Sequence, residues 1–102
     1  MRYEWDVRKN RESQRKHGIS FELASLVFED QDRLIRLDRA DETGEQRWQA
    51  IGAVSVEPGT AMVVVVAHVY REDRYGEEII RIISTRRASN DDVRRYQEQE
   101  MD

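Results

Sequence analysis

The 102-residue chain has the size of one domain, so we expect residues 1–102 to fold as a single unit. The absence of cysteine excludes disulfide scaffolds, thiolate zinc sites and cysteine nucleophiles, and no apolar run reaches the roughly 20 residues of a membrane span, so we expect a cytoplasmic protein. The formal net charge of -4 argues against a protein that coats nucleic acid through its overall field.

The first third of the chain is predicted to hold one short strand and two helices. Residues 2–5 can form the strand, and Asp6 is a suitable N-cap for a helix over residues 7–17 that carries only one aliphatic side chain. That helix must therefore expose a charged face. Ser20 is predicted to cap a second helix over residues 21–29, where apolar side chains recur at helical spacing.

The middle of the chain changes to short apolar runs separated by turn residues, which is typical of antiparallel strands. The last helix is predicted to begin after Ser89, which forms a capping box with Asp92. The chain therefore predicts an α+β domain of order β-α-α-β-β-β-β-α, with two N-terminal helices and one C-terminal helix on an antiparallel sheet. The four predicted strands of the middle region cover residues 33–37, 47–56, 61–70 and 78–85.

The residues available for catalysis are few. The two histidines, His17 and His68, match no standard spacing of zinc ligands, and no glycine-rich phosphate loop is present. A lone histidine is more often a packed or surface residue than a ligand. We therefore expect no metal and no cofactor.

Arg81 interrupts a run of isoleucines in the last predicted strand, where a buried cation is costly without a partner. Strict alternation places Arg81 on the same face as Thr85. Two interpretations remain open. Arg81 forms an internal ion pair with Glu45, Glu78 or a helix carboxylate, or it points into a polar cleft and binds an anion such as phosphate.

Other cations fall at the ends of predicted elements. Arg47 stands at the start of a strand, and the Lys16-His17 pair ends the first long helix, where a histidine beside a lysine suits proton transfer in RNA cleavage. The plain alternative for Lys16 and His17 is attraction to the last helical carbonyls. Arg86 and Arg87 are either solvated charges or part of the same cationic cleft.

Four blocks of sequence, in order along the chain, carry a family resemblance. They are EWD followed by Lys9 and Asn10, RKHGISFELASLVFED over residues 15–30, GEQRW over residues 44–48 leading to Ile51-Gly52, and RIISTRRAS over residues 81–89 with Tyr96 downstream. Together they resemble the BrnT family of type II toxin–antitoxin toxins. The resemblance implies a RelE-like fold and a metal-independent endoribonuclease that arrests growth.

The resemblance also implies roles for individual residues. Arg47 and Arg81 are expected to clamp the scissile phosphate with help from Arg86, while Lys16 or His17 transfers protons. Glu45 is expected either to be the general base or to orient Arg47. The residues expected to bind substrate are Arg87 and Tyr96, although Tyr96 is also suited to closing the core.

The partner implied by the resemblance is a small DNA-binding antitoxin of the BrnA type. We expect two toxins and two antitoxins in a heterotetramer, RNA as the substrate, and DNA contacts only through the antitoxin. The alternative is a non-catalytic protein-binding module, or co-repressor partner of such an antitoxin. The acidic net charge of the chain is unusual for an RNA-binding toxin of RelE-like fold.

Overall fold

The structure is a computed structural model that describes residues 1–99. It confirms the α+β class, with three helices in the described part of the chain. The predicted helix over residues 21–29 is divided, because only its first part is α-helical and the rest is a 3-10 turn. The elements are β1 (Arg2–Glu4), α1 (Val7–His17), α2 (Phe21–Ser25), the 3-10 turn (Leu26–Glu29), β2 (Leu34–Ala40), β3 (Gln46–Glu57), β4 (Thr60–Glu72), β5 (Glu78–Arg87) and α3 (Asn90–Glu98).

The five strands form one sheet in the order β1-β5-β4-β3-β2. The prediction of an antiparallel sheet is wrong for one pair, because β1 runs parallel to β5 and the sheet is mixed. The hairpin-connected strands must pair antiparallel, since short turns reverse the chain. No short turn constrains β1, which leads into α1 and pairs with a strand more than 70 residues away.

A β-bulge changes the face assignment in β5. The register between β4 and β5 shifts so that Ile83 has no partner, and the residues on either side of it are displaced relative to strict alternation. Thr85 lies opposite Val66, whereas Arg81 lies opposite Val69. Arg81 and Thr85 therefore lie on opposite faces of the sheet, contrary to the prediction from alternation.

Helices cover both faces of the sheet. On one face, α2 and the 3-10 turn bury the main core, which consists of Ile19, Phe21, Ala24, Val27, Ala50, Val54, Val64, Val66 and Ile82. On the opposite face, Arg36 of β2 and Arg86 of β5 both reach Asp92 in α3. The helix α3 therefore packs on that second face near these arginines.

The helix α1 follows the predicted bounds closely. The Asp6 carboxylate accepts hydrogen bonds from the backbone of Arg8 and Lys9, and Gly18 ends the helix in the left-handed conformation with φ of 68°. As expected, its surface is charged, and its buried residues are Asn10 and Ser13 rather than aliphatic side chains. Within residues 1–99, no helix has the length and apolar character needed to cross a membrane.

Candidate active site

One wall of a surface cavity is formed by a single face of α1. Lys9, Glu12, Ser13 and Lys16 are spaced three, four and seven positions from Lys9, so their side chains lie on the same side of the helix. His17, the last residue of α1, joins this wall. The helix therefore presents two lysines and a histidine to one space.

The opposite wall of this cavity comes from the sheet. Arg47 at the start of β3 lines it together with the bulged residue Ile83 and its neighbour Ser84. The volume of this α1 cavity is about 340 Å³, within the usual range for small-ligand sites. The bulge thus lies where the sheet meets α1. The full lining is Lys9, Glu12, Ser13, Lys16, His17, Phe21, Arg47, Ile83, Ser84 and Thr85.

The charges in the α1 cavity are only partly neutralised. Lys16 is paired with Glu12 at 2.5 Å, and the hydrogen bond from Lys16 lowers the pKa of the Glu12 carboxyl. Within the described chain, neither Lys9 nor Arg47 has a carboxylate at ion-pair distance. The cavity therefore carries uncompensated positive charge facing solvent, as an anion site requires.

Arg47 also borders a second cavity, of about 430 Å³, beneath the turn between β2 and β3. We call it the hairpin cavity. Arg47 lines both cavities, so this residue lies between them. The lining of the hairpin cavity is Arg39, Ala40, Asp41, Glu42, Thr43 and Arg47.

Arg81 lines neither cavity, although it lies on the same face of the sheet as Arg47. Val69 of the intervening strand β4 is the cross-strand neighbour of Arg81 in β5. The register of β3 against β4 places Arg47 beside Val69 on its other side, so the Cα atoms of Arg47 and Arg81 are about 10 Å apart. The side chain of Arg81 is 30% exposed and donates a hydrogen bond to Glu4 at 3.2 Å. Neither Glu45 nor Glu78, the partners considered from the sequence, forms this pair.

Glu45 belongs to the same charged network. Arg71 lies between two carboxylates, 3.3 Å from Glu45 and 3.8 Å from Glu4, and Glu4 in turn holds Arg81. Glu45 lines neither cavity. The network therefore links two of the sequence-predicted site residues, Glu45 and Arg81, at the end of the sheet that carries Arg47.

Arg86 is held by α3. Its guanidinium donates a 2.7 Å hydrogen bond to Asp92, whose side chain is only 8% exposed. Burial raises the pKa of Asp92, but the hydrogen bonds from Arg86 and Ser89 outweigh it and lower the pKa to about 2. The next residue, Arg87, is exposed. Both arginines lie outside the two cavities.

Tyr96 is half-buried on α3, and its hydroxyl donates a 2.5 Å hydrogen bond to the Asp30 carboxylate. The same Asp30 oxygen accepts the backbone N–H of Ala53 at 2.8 Å. Tyr96 therefore ties α3 to the loop before β2 and to β3. This contact is the one expected if Tyr96 closes the core, and Tyr96 lines neither cavity.

His68 is a fully buried core residue. Its ring lies edge-on to Phe28 at 4.8 Å and to Tyr70 at 5.0 Å between centroids. Burial lowers the pKa of His68, so the ring is uncharged at neutral pH. In the part of the chain that the structure describes, no three His, Cys, Asp or Glu side chains are grouped so as to hold a metal ion.

Sequence reasoning found Arg47, Lys16 and His17 but did not assign the other seven residues of the α1 cavity, of which Lys9, Ser13 and Ser84 carry polar groups of interest. Lys9 and Ser13 were detectable, since their spacing from Lys16 places all three on one helical face. The Ser13 hydroxyl is buried and has no hydrogen-bond partner among residues 1–99. Ser84 was not detectable, because its position depends on the bulge in β5.

A family model described as "Ribonuclease toxin, BrnT, of type II toxin-antitoxin system" matches residues 5–92. The match contains every residue that lines the two cavities. It confirms the resemblance noted in the sequence. A search of curated proteins finds no match.

Proposed function

Because the chain belongs to the BrnT family of ribonuclease toxins of type II toxin–antitoxin systems, we propose that it cleaves RNA endonucleolytically in the α1 cavity, without a metal ion. One observation supports this location above all. The unpaired Arg47 faces Lys9, Lys16 and His17 across a solvent-filled space that suits one nucleotide linkage. The cationic side chains can then supply the charge compensation that a metal supplies in other nucleases.

The proposed reaction is attack by a ribose 2′-OH on the adjacent phosphate. A base removes the 2′-hydroxyl proton, the new P–O bond forms, and the bond to the 5′-oxygen breaks as that oxygen receives a proton. The products are a 2′,3′-cyclic phosphate and a 5′-hydroxyl. We assign the proton transfers to His17 and Lys16, which lie together at the end of α1, and the stabilisation of the phosphorane to Arg47.

The remaining candidate residues receive supporting roles in this proposal. Glu45 is paired with Arg71 and lies outside the α1 cavity, so we assign it to ordering the charged network rather than to accepting a proton. Arg81 and Arg86 are held by Glu4 and Asp92, so we assign them to ordering the sheet face that carries Arg47. We assign the exposed Arg87 to a contact with the RNA backbone.

The proposal includes an antitoxin partner of the BrnA type. Type II systems pair a protein toxin with a protein antitoxin, and the growth arrest caused by the free toxin would be relieved by binding of that partner. RNA in the cytoplasm is the proposed substrate. DNA contacts are assigned to the antitoxin alone.

The direct test compares the wild-type protein with Arg47→Ala on RNA in EDTA. We expect the wild type to cleave and Arg47→Ala to lose about 10²–10³-fold in kcat/KM, the usual cost of removing one transition-state contact. Thermal stability should not fall, because Arg47 has no ion-pair partner among residues 1–99 and lies opposite another arginine, Arg39. Arg74→Ala is the matched control, since Arg74 is exposed and lines neither cavity.

Two results would contradict the proposal. The first is RNA that stays intact with wild-type protein in EDTA while the antitoxin still binds tightly, which would favour the protein-binding module. The second is an Arg47→Ala variant that cleaves RNA as fast as Arg74→Ala. Expression in cells adds a second readout, in which the wild type arrests growth and Arg47→Ala does not.

A further inference from the structure

We propose that the hairpin cavity is a second phosphate subsite, in which Arg39 and Arg47 hold the phosphodiester next to the one cleaved. The inference rests on the proposed function, since it extends the same RNA site by one linkage. It gives the cavity beneath the β2–β3 turn a ligand class, a backbone phosphate of single-stranded RNA.

The two arginines are neighbours across the sheet. Arg39 of β2 is the cross-strand partner of Arg47 in β3, so the two side chains lie on one face with Cα atoms about 5 Å apart. A shift of register between Leu37 and Arg39 sets this pairing. Like charges directly opposite each other destabilise a sheet unless an anion lies between them.

Neither guanidinium forms an ion pair within the described part of the chain. No carboxylate lies at ion-pair distance from Arg39 or Arg47, whereas seven other arginines have one, and of the described arginines without an ion pair it is these two that line the hairpin cavity. Two free guanidiniums facing one cavity suit a phosphate, because each can donate two parallel hydrogen bonds to its oxygens.

The acidic residues of the hairpin cavity do not block this use. One oxygen of Asp41 accepts hydrogen bonds from the backbone of Thr43 at 2.9 Å and of Glu45 at 3.0 Å, and from the Thr43 hydroxyl at 2.6 Å. That carboxylate shapes the turn, and its pKa is lowered first by the hydrogen bond from Thr43 and in smaller part by the charge of Arg47, so it offsets only part of the positive charge of the arginine pair. Glu42 is exposed at the tip of the same turn, where solvent screens it.

The position of Arg47 connects the two cavities. Because Arg47 lines both, a phosphate in the α1 cavity and one in the hairpin cavity would share its guanidinium as a common wall. An RNA strand can then run from α1 across β3 to the β2–β3 turn. Arg39 would contact only the outer phosphate, which a dinucleotide lacks.

The test compares wild type, Arg39→Ala, Arg39→Lys and the control Arg74→Ala on a dinucleotide and on a hexanucleotide RNA. We expect Arg39→Ala to raise KM for the hexanucleotide about tenfold and to leave dinucleotide cleavage unchanged. The slope of log(kcat/KM) against log salt should fall by about 0.7 for one lost phosphate contact in a single strand. Arg39→Lys should keep the salt slope, because it keeps the charge, but recover only part of the KM.

The subsite is overturned if Arg39→Ala matches Arg74→Ala on the hexanucleotide, or if it loses as much activity on the dinucleotide. Binding of an uncleavable 2′-O-methyl hexanucleotide separates this result from failure of the proposed function. If the wild type cleaves no RNA but binds this oligonucleotide with a steeper salt dependence than Arg39→Ala, the nuclease proposal fails and the subsite stands. Equal salt slopes for the two proteins overturn the subsite whether or not RNA is cleaved.

Discussion

Asn10 is a polar side chain buried between α1 and α2. It is 8% exposed, its amide donates to Glu22 at 2.6 Å, and its carbonyl accepts the backbone N–H of Phe21 at 2.8 Å. Phe21 is the first residue of α2, where a backbone N–H has no partner within the helix. One side chain thus joins the helix that forms the cavity wall to the helix that fills the core.

Replacing Asn10 with Ala should therefore destabilise the fold. The variant leaves the buried Phe21 N–H without an acceptor, and we expect a loss of about 1–3 kcal/mol in the free energy of unfolding. Denaturant unfolding followed by circular dichroism measures it. Arg11→Ala, at an exposed neighbouring position, should change stability by less than about 0.5 kcal/mol. Equal stability of the two variants would show that Asn10 contributes nothing to helix packing.

At the residue scale, the sequence identified the charged side chains that interrupt apolar strands, but it did not identify the groups with which they interact. Arg47 and Arg81 stood out as cations in apolar strands. The pairing of Arg81 with Glu4 spans 77 positions and depends on β1 running parallel beside β5. The spacing of residues within one strand or helix does not show which distant strands pair, so the sequence alone left the ion-pair and anion-site interpretations of Arg81 open.

At the scale of elements, the predictions that depend on local chemistry agree with the structure. The Ser89–Asp92 capping box is present, and Gly18 and the three hairpin turns separate the elements as expected. The bulge at Ile83 was not predictable, because it inserts one residue into a run of isoleucines that reads equally well without it. That single insertion affects how the β5 residues Ile83, Ser84 and Thr85 border the α1 cavity.

The attachment of α3 depends on one ionised carboxylate. Asp92 caps its own helix through Ser89 and holds Arg86 of β5 at 2.7 Å, with Arg36 of β2 at 3.7 Å. Its pKa falls from 3.8 to about 2 on folding, which corresponds to about 2 kcal/mol of stability at neutral pH. Because the folded pKa is the lower one, this stability is fully present above about pH 5 and is lost as the pH falls toward 2.

Asp92→Asn should lower the free energy of unfolding by about 2 kcal/mol at pH 7, and the difference from wild type should shrink as the pH falls from 4 to 2.5. Asp91→Asn is the matched control, since Asp91 is exposed on the same helix and, among residues 1–99, pairs only with neighbouring arginines of α3. Urea unfolding across this pH range gives both curves. A constant difference between wild type and Asp92→Asn would show that the ionised form of Asp92 is not the stabilising one.

At the scale of the whole molecule, the acidic net charge and the cationic site are compatible. The net charge is -4, yet Lys9, Arg39 and Arg47 carry positive charge without an ion-pair partner among residues 1–99 and lie around two adjoining cavities. Much of the remaining charge is paired at the surface, where it contributes little to long-range attraction. RNA binding then depends on a few local contacts rather than on the overall field.

The strand β2, which is the longer of the two edge strands, has one side that no other strand of residues 1–99 covers. The strand β2 is at the edge of the sheet, and its Leu37 side chain is 50% exposed. An exposed edge with an apolar side chain can accept an added strand from a partner protein. An antitoxin strand added at this edge would leave α1 and the main core undisturbed.

An antitoxin that binds operator DNA as a symmetric dimer would bring two toxins into one complex. We therefore expect the co-purified pair to form a heterotetramer of two toxins and two antitoxins. Light scattering on that pair should give a mass of two 12.1 kDa toxin chains plus two antitoxin chains. A mass of one chain of each kind would refute the heterotetramer while leaving the nuclease proposal intact.

The β2 edge is tested with Leu37→Asp. We expect this variant to bind the antitoxin more weakly, because a charged side chain at the edge opposes the addition of a strand. RNA cleavage by the free toxin should stay unchanged, since Leu37 lines neither cavity. Equal antitoxin affinity of the variant and the wild type would place the interface elsewhere.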